Sequence, residues 1–393
     1  MREAPETPHH DAIRLLWMVF LTFGAQIAFL IAGRWLHGGE HASLIFAQFN
    51  DFACFRDGAR AWLSGGDPYH VWGFVTPPPS LLFSALLAPW NSPLTVQVIR
   101  SINVVLLVWA LRRYAAAVGL ARGQQALFLL ASAIFFSTQE SVRECNLDVL
   151  MLVLLVLTFT LPGKSGGAVA LAASIGTKVY SAVFLPVMLR LRQWRSAGIA
   201  ALTLCLLMLP FHRLWMLAYQ ALMHRSNRFW NLSIAPASLV LPWLGGDARV
   251  ESVAALLLNE FIAITFTLAL VRDRSRKLTP QTLARYAPWM LSLPSLVFSY
   301  VGVQALPVLA ALLATAHRRA LRRAEWCILA GFLLLGIHLE RVVCVLPLDF
   351  GTFYFVRQHA SMVQSLGVIL MIAGTCLTPG GEDVTSPTQP VQR

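Results

Sequence analysis

Charge is what this chain has least of. Only 13% of its 393 residues are charged and 57% are hydrophobic, against roughly 25% charged in an ordinary soluble domain, and the mean hydropathy is +0.63. A soluble enzyme or a disordered tail is excluded, and an all-α polytopic integral membrane protein is implied. Acidic residues are scarcer still, 19 against 31 Lys and Arg, for a net charge of +12. The arginines gather in short loops between apolar runs, as the positive-inside bias requires, so the excess implies no nucleic-acid partner. No HExxH, CxxC pair or Walker loop occurs, the acids of the first loop form no Asp-x-Asp pair, and the six cysteines lack metal spacing. Metal-independent chemistry without a cofactor is the expectation. There is no internal repeat. After the apolar stretch Leu15–Gly33 there is no small-residue cleavage site, so that stretch is expected to remain as an anchor.

Four basic clusters, Arg112–Arg113, Arg190–Arg195, Arg272–Lys277 and Arg318–Arg323, read as cytoplasmic. With Arg2 and Arg14 also inside, both termini are cytoplasmic in a bacterial inner membrane, and about 12 transmembrane helices follow. They fall near 15–33, 96–116, 124–139, 147–163, 166–177, 179–190, 197–212, 250–271, 283–298, 302–317, 325–345 and 356–377. Several are short, and breaks are expected at Gly176-Thr177-Lys178 and at Ser299-Tyr300. Such breaks are tolerated only where protein or water satisfies the backbone. Residues 1–377 form one domain and 378–393 a disordered cytoplasmic tail. Residues 34–95 form a structured periplasmic loop, because the run Pro77–Trp90 is too short to cross. Pro78–Trp90 suits a re-entrant or interfacial helix and 44–64 an amphipathic helix on the membrane plane.

That loop, "NDFACFRDGARAWLSGGDPYHVWGFVTPPPSLLFSALLAPW", concentrates polar residues in an otherwise apolar chain. Asp51 lies between Phe49 and Phe52, which pull it to the membrane surface. It reads either as a base that takes a proton from a hydroxyl or, with Asn50, as a helix N-cap. Glu260, and Glu340 with Arg341, lie within spans and read as internally paired charges. Cys54 and Cys145 fall in neighbouring outer loops where a disulfide is conceivable, whereas Cys205, Cys327 and Cys376 read as packing residues.

"DFACFRDGARAWLSGGDPY" followed by "FVTPPPSLLFSALLAP" resembles the first outer loop of glycosyltransferase family 87. "NLDVLMLVLLVL", "GAVALAASIGTKVYSAVFLPVMLRLRQWR" and "NLSIAPASL" are similar to later family segments in order and spacing, over residues 45 to 310. Glu144-Cys145 stands where the family has Gly-Gln before Asn146, and "SLVFSYVGVQ" lacks a family histidine. The resemblance implies a GT-C-like fold and a glycosyltransferase acting at the outer face. It would move a hexose or pentose, mannose first, from a polyprenyl-phosphate donor to a hydroxyl of a glycolipid or glycan acceptor with inversion. On that reading Asp51 is the base, Lys178 and Arg100, then Arg143 and Arg228, hold the donor phosphate, and Asp57, Asp67, Tyr69, Asn146 and Asn231 contact sugar or acceptor. Read on their own, Lys178 equally suits snorkelling to the surface and Arg100 a boundary anchor. The competing functions are a lipid or sugar transporter or flippase and a catalytically silent scaffold. Membrane lipids are the remaining partner.

Overall fold

The computed structural model describes residues 9–37, 51–71, 73–90, 92–161, 164–226, 233–240, 243–244, 248–275, 277–293, 297, 299–343, 346, 352 and 359–378. Among them every element is helical. Among the described residues five helices are long and apolar enough to cross a membrane: His10–Gly33, Leu94–Ala117, Trp194–Phe211, Val250–Arg272 and Ser299–Arg318. They belong to α1 (His9–His37), α4 (Pro93–Ala117), α10 (Trp194–Met208) with the 3-10 turn after it, α12 (Ala248–Arg272), and α14 (Leu306–Arg318) with the 3-10 turn Ser299–Ala305 before it. The protein is a helical membrane protein.

The remaining anticipated crossings are shorter or broken, for local reasons. The 124–139 run divides at Phe135, whose extended backbone separates α5 (Arg122–Ile134) from α6 (Phe136–Arg143). The break at Gly176-Thr177-Lys178 is present: α8 (Lys164–Thr177) ends there, Lys178 is extended, and a 3-10 turn leads into α9 (Phe184–Arg190). Among the described residues of the 283–298 run stands α13 (Pro280–Met290), where Pro288 sits within the last turn and removes an amide donor. The 325–345 run becomes α15 (Arg323–Leu335) and the five-residue α16 (Leu339–Val343). The final run is α17 (Ser361–Leu377).

In the first loop, α2 (Asp51–Leu63) is the described part of the amphipathic helix. Phe52, Phe55, Gly58 and Ala59 form its buried face. A β-carbon at Gly58 would lie 2.6 Å from the Phe74 ring, so that close approach needs glycine. Phe55, Tyr69, Phe74 and Leu81 pack with Leu147 and Phe211 in a small core apart from the main one. The helix expected over Pro78–Trp90 is reduced to α3 (Ser80–Ser84) and a 3-10 turn, Ala85–Leu87. Arg60 Nε donates to the Ala88 carbonyl at 2.6 Å and fastens this piece to α2. Cys54 and Cys145 are not joined in a disulfide. The tail beyond Thr378 and residues 38–50 lie outside the described residues.

Most of the apolar burial joins α1, α4, α7 (Asp148–Thr160), α8, α13, α14 and α15 into one core. The faces of α1, α4, α10 and α12 that look away from it carry exposed Leu, Ile, Val, Phe and Trp, as lipid-facing surfaces do.

Candidate functional site

The site forms where α2 meets the turn between α6 and α7. Asp51 is the first residue of α2, and burial of Phe52 and Phe55 holds it against the bundle. The Phe52 amide donates to the Glu144 carbonyl at 3.3 Å. Two crossed bonds close the C-terminus of α6, Cys145 N to Val142 O at 3.2 Å and Asn146 N to Ser141 O at 3.1 Å. Cys145 takes the left-handed position such a cap requires, with φ 54°. The cap turns the Asn146 side chain inward.

Asn146 then joins two partners from distant parts of the chain and one from its own turn. Its Nδ2 donates to Asp51 Oδ2. Its Oδ1 accepts from Lys178 Nζ at 2.8 Å and from the Asp148 amide at 3.2 Å. Lys178 Nζ also pairs with Asp148 Oδ2 at 2.7 Å and lies 4.9 Å from the Tyr300 ring centroid. Asp148 is wholly buried and Lys178 7% exposed. Gln304 Nε2 donates to the Asp148 carbonyl at 2.8 Å.

Asp51 is the unusual member. Burial pushes its carboxyl up to about 7, in spite of the nearby Lys178 and the Asn146 hydrogen bond, while Glu144 and Asp148 add to the rise. Burial also raises Glu144, against the pull of Arg143. A carboxyl that titrates near neutrality is suited to receiving a proton at physiological pH.

The other anticipated residues divide. Arg100 Nε donates to the Arg143 carbonyl at 2.9 Å, which seats its guanidinium beside Cys145. Arg143 itself pairs with Glu144 at 2.6 Å and keeps about a third of its side chain exposed. Lys178 is not a snorkelling residue: its ammonium is turned inward on Asp148 and Asn146. Asp57 is held by Arg56 at 2.7 Å on the surface of α2. Asp67 caps the 3-10 turn Pro68–His70, accepting from the Tyr69 amide at 2.8 Å, and pairs with His70. Tyr69 is 5% exposed and donates its hydroxyl to the Thr76 carbonyl at 3.0 Å, so it props the loop from within. Arg228 and Asn231 lie outside the described residues.

A second polar centre went unread in the sequence. Arg341, expected with Glu340 among internally paired charges, reaches Glu140 with its guanidinium at 2.7 Å, and the Glu340 side chain lies outside the described ones. Ser299 Oγ donates to the other Glu140 oxygen at 2.6 Å. His338 Nδ1 lies 3.8 Å from the same carboxylate and its Nε2 accepts from Gln364 at 3.0 Å. Burial raises the Glu140 carboxyl, yet His338, Arg341 and Ser299 together hold it below the usual glutamate range. The two centres touch through the 3-10 turn, where Ser141 Oγ donates to the Tyr300 carbonyl at 2.7 Å. Glu260, also anticipated as internally paired, is exposed on α12.

Among the described residues no three His, Cys, Asp or Glu side chains group closely enough to hold a metal ion. Two cavities, of about 310 and 290 Å³, lie elsewhere, beside α12 and around Thr158 to Leu278. Comparison with family models, curated proteins and solved structures gives no match, so any functional reading rests on the chemistry of these two centres.

Proposed function

We propose that this protein is a membrane glycosyltransferase that moves a sugar, mannose first, from a polyprenyl-phosphate donor to a hydroxyl of a glycolipid or glycan acceptor, at the outer face of a bacterial inner membrane. The observation that carries the reading is Asp51: a carboxylate at the mouth of a helical membrane bundle, hydrogen-bonded by one amide that is itself anchored by a buried ion pair. As the acceptor oxygen bonds to the anomeric carbon, Asp51 takes the hydroxyl proton and the carbon–oxygen bond to phosphate breaks on the opposite face, with inversion. The leaving phosphate needs positive charge on the other side of the sugar. Arg100, whose guanidinium is seated on the Arg143 carbonyl at the turn, is the leading group for it, and Arg143 would have to exchange Glu144 for the phosphate. Lys178 is already engaged by Asp148 and serves as a positioning residue, fixing Asn146 and lowering the proton affinity of Asp51 from a distance. A GT-C-like fold with about 12 crossings belongs to the same proposal.

One observation favours a carrier instead. Two buried ion pairs, Lys178–Asp148 and Glu140–Arg341, are the kind of intramembrane charge that transport pathways use. The readings part on bond cleavage. Purified protein in liposomes, given a radiolabelled mannosyl polyprenyl phosphate and a crude glycolipid acceptor fraction, should release free polyprenyl phosphate in step with labelled glycolipid. Movement of intact donor across the bilayer without cleavage would replace the transferase by a carrier.

A further inference from the structure

Of the five long apolar helices, only α12 carries an ionisable side chain more than two turns from both ends of its span. That side chain is Glu260, ten residues in from Val250 and twelve from Arg272. At about 1.5 Å per residue it stands about 15 to 18 Å from either end, the middle of a hydrocarbon core about 30 Å thick. Glu260 is exposed. Among the described residues it has no hydrogen-bond or ion-pair partner.

The surface around it is ordered by period. Val253, Leu257, Glu260, Ile264, Thr267 and Val271 follow one another at alternating steps of four and three, and all six are exposed. That is an unbroken heptad seam along one helix, with β-branched residues at most positions. The opposite side of α12, with Ala255, Ile262, Phe266 and Leu270, is buried on the protein's own bundle. Thr267 returns its hydroxyl to the Ala263 carbonyl at 2.8 Å. Glu260 is thus the one polar group of the seam that seeks a partner from outside. Beside the seam, the 310 Å³ cavity lined by Val240, Ala254, Leu257, Leu258 and Phe261 leaves a hole for a side chain from a neighbouring helix.

We propose that α12 is a homodimer interface in which Glu260 of two copies meets on a two-fold axis normal to the membrane. A carboxylic acid group carries both a donor and an acceptor. It is therefore satisfied by its own copy, and a two-fold axis brings each residue onto itself in parallel helices of equal depth. Ion pairing between unlike faces of two copies is not offered, because at that depth the other four long spans present no cation. A single polar residue in an otherwise apolar seam also fixes register, since any slip leaves the group alone in hydrocarbon.

The test uses the full chain in phosphatidylcholine liposomes at low protein-to-lipid ratio, with stoichiometry read by single-molecule photobleaching. Dimers are expected, and in a background freed of exposed native cysteines Ile264→Cys should crosslink on oxidation while Ser252→Cys, off the seam, should not. Glu260→Gln keeps a donor and an acceptor and should retain the dimer. Glu260→Ala should raise the dimer dissociation constant about 5- to 30-fold, the range reported for polar contacts between membrane helices. Monomers throughout the titration, or crosslinking at 252 in place of 264, would overturn the interface. A dimer crosslinked at 264 but indifferent to Glu260→Ala would overturn the carboxyl pairing at its centre.

Discussion

Glu140 and Asn146 lie on either side of one helix cap, yet the carboxylates they serve meet opposite conditions. Glu140 is enclosed by Arg341, Ser299 and His338, and they overcome its burial. Asp51, reached through Asn146, has an amide for its nearest partner and a lysine whose charge is already spent on Asp148, and burial prevails. The first arrangement is a clamp between α6, α16 and α17. The second is a carboxylate held back from full ionisation, which is a useful state for a base and a poor one for a structural brace.

The sharpest way to break this contrast is to remove the acid from one centre and the base from the other. Asp51→Asn keeps the shape and an acceptor for Asn146, so the protein should fold while sugar transfer falls by about 10²- to 10⁴-fold, as loss of a positioned general base does. Initial rates on detergent-purified protein measure it, with donor binding as the check on integrity. Arg341→Met should act on the fold, lowering stability by about 3 to 5 kcal/mol because it leaves a buried carboxylate without its cation. Denaturant titration reads this, and adding Glu140→Gln to the same chain should recover most of it.

How far the sequence foretold these centres follows from which interactions are local. Asp51 at a helix start and the break before Lys178 were legible because helix starts and glycine-rich interruptions are written in neighbouring residues. The amphipathic α2 was legible from its phenylalanine spacing. Asp148 as the partner of Lys178 was not, since 30 residues and a whole helix hairpin separate them. Nor was Arg341 with Glu140, 201 residues apart. Hydropathy likewise marks both α12 and the 299–318 span as apolar enough to cross, and α12 as the more apolar, though only 17% of its residues are buried against 78% in the other. Burial depends on which faces meet, and no local pattern carries that.

The pH dependence sharpens the same contrast. With Asp51 titrating at about 7, transfer should rise with pH through neutrality and level above it. Lys178→Met removes a charge that favours ionised Asp51, so the midpoint should move upward, by roughly one pH unit. Arg341→Met should leave it in place. Stability runs the other way. A carboxyl whose folded pKa is raised keeps its proton in the fold while the unfolded chain has lost it, so stability is fullest below about 4 and falls as pH rises toward about 7. Asp51→Asn should abolish that slope and be more stable than the parent by about 4 kcal/mol at pH 8, about three pH units at about 1.4 kcal/mol each, with no difference at pH 4.

The smallest effect belongs to Tyr69, which separates loop architecture from chemistry. Resemblance to a sugar-contacting loop makes its hydroxyl a candidate for substrate, but the group is buried and donates to the Thr76 carbonyl, and the ring packs 5.4 Å from Phe74. Tyr69→Phe keeps the ring and deletes one hydrogen bond, whose loss costs about 1 kcal/mol when the abandoned carbonyl is poorly solvated. Thr76 retains a second contact, its hydroxyl with Ser80 at 2.6 Å, so the turn into α3 should survive. We therefore expect a stability loss of about 1 kcal/mol in a denaturant titration, with kcat/KM for donor and acceptor within about twofold of the parent. A tenfold fall in kcat/KM at unchanged stability would return Tyr69 to the substrate side of the loop, and would mean that the loop opens around bound sugar.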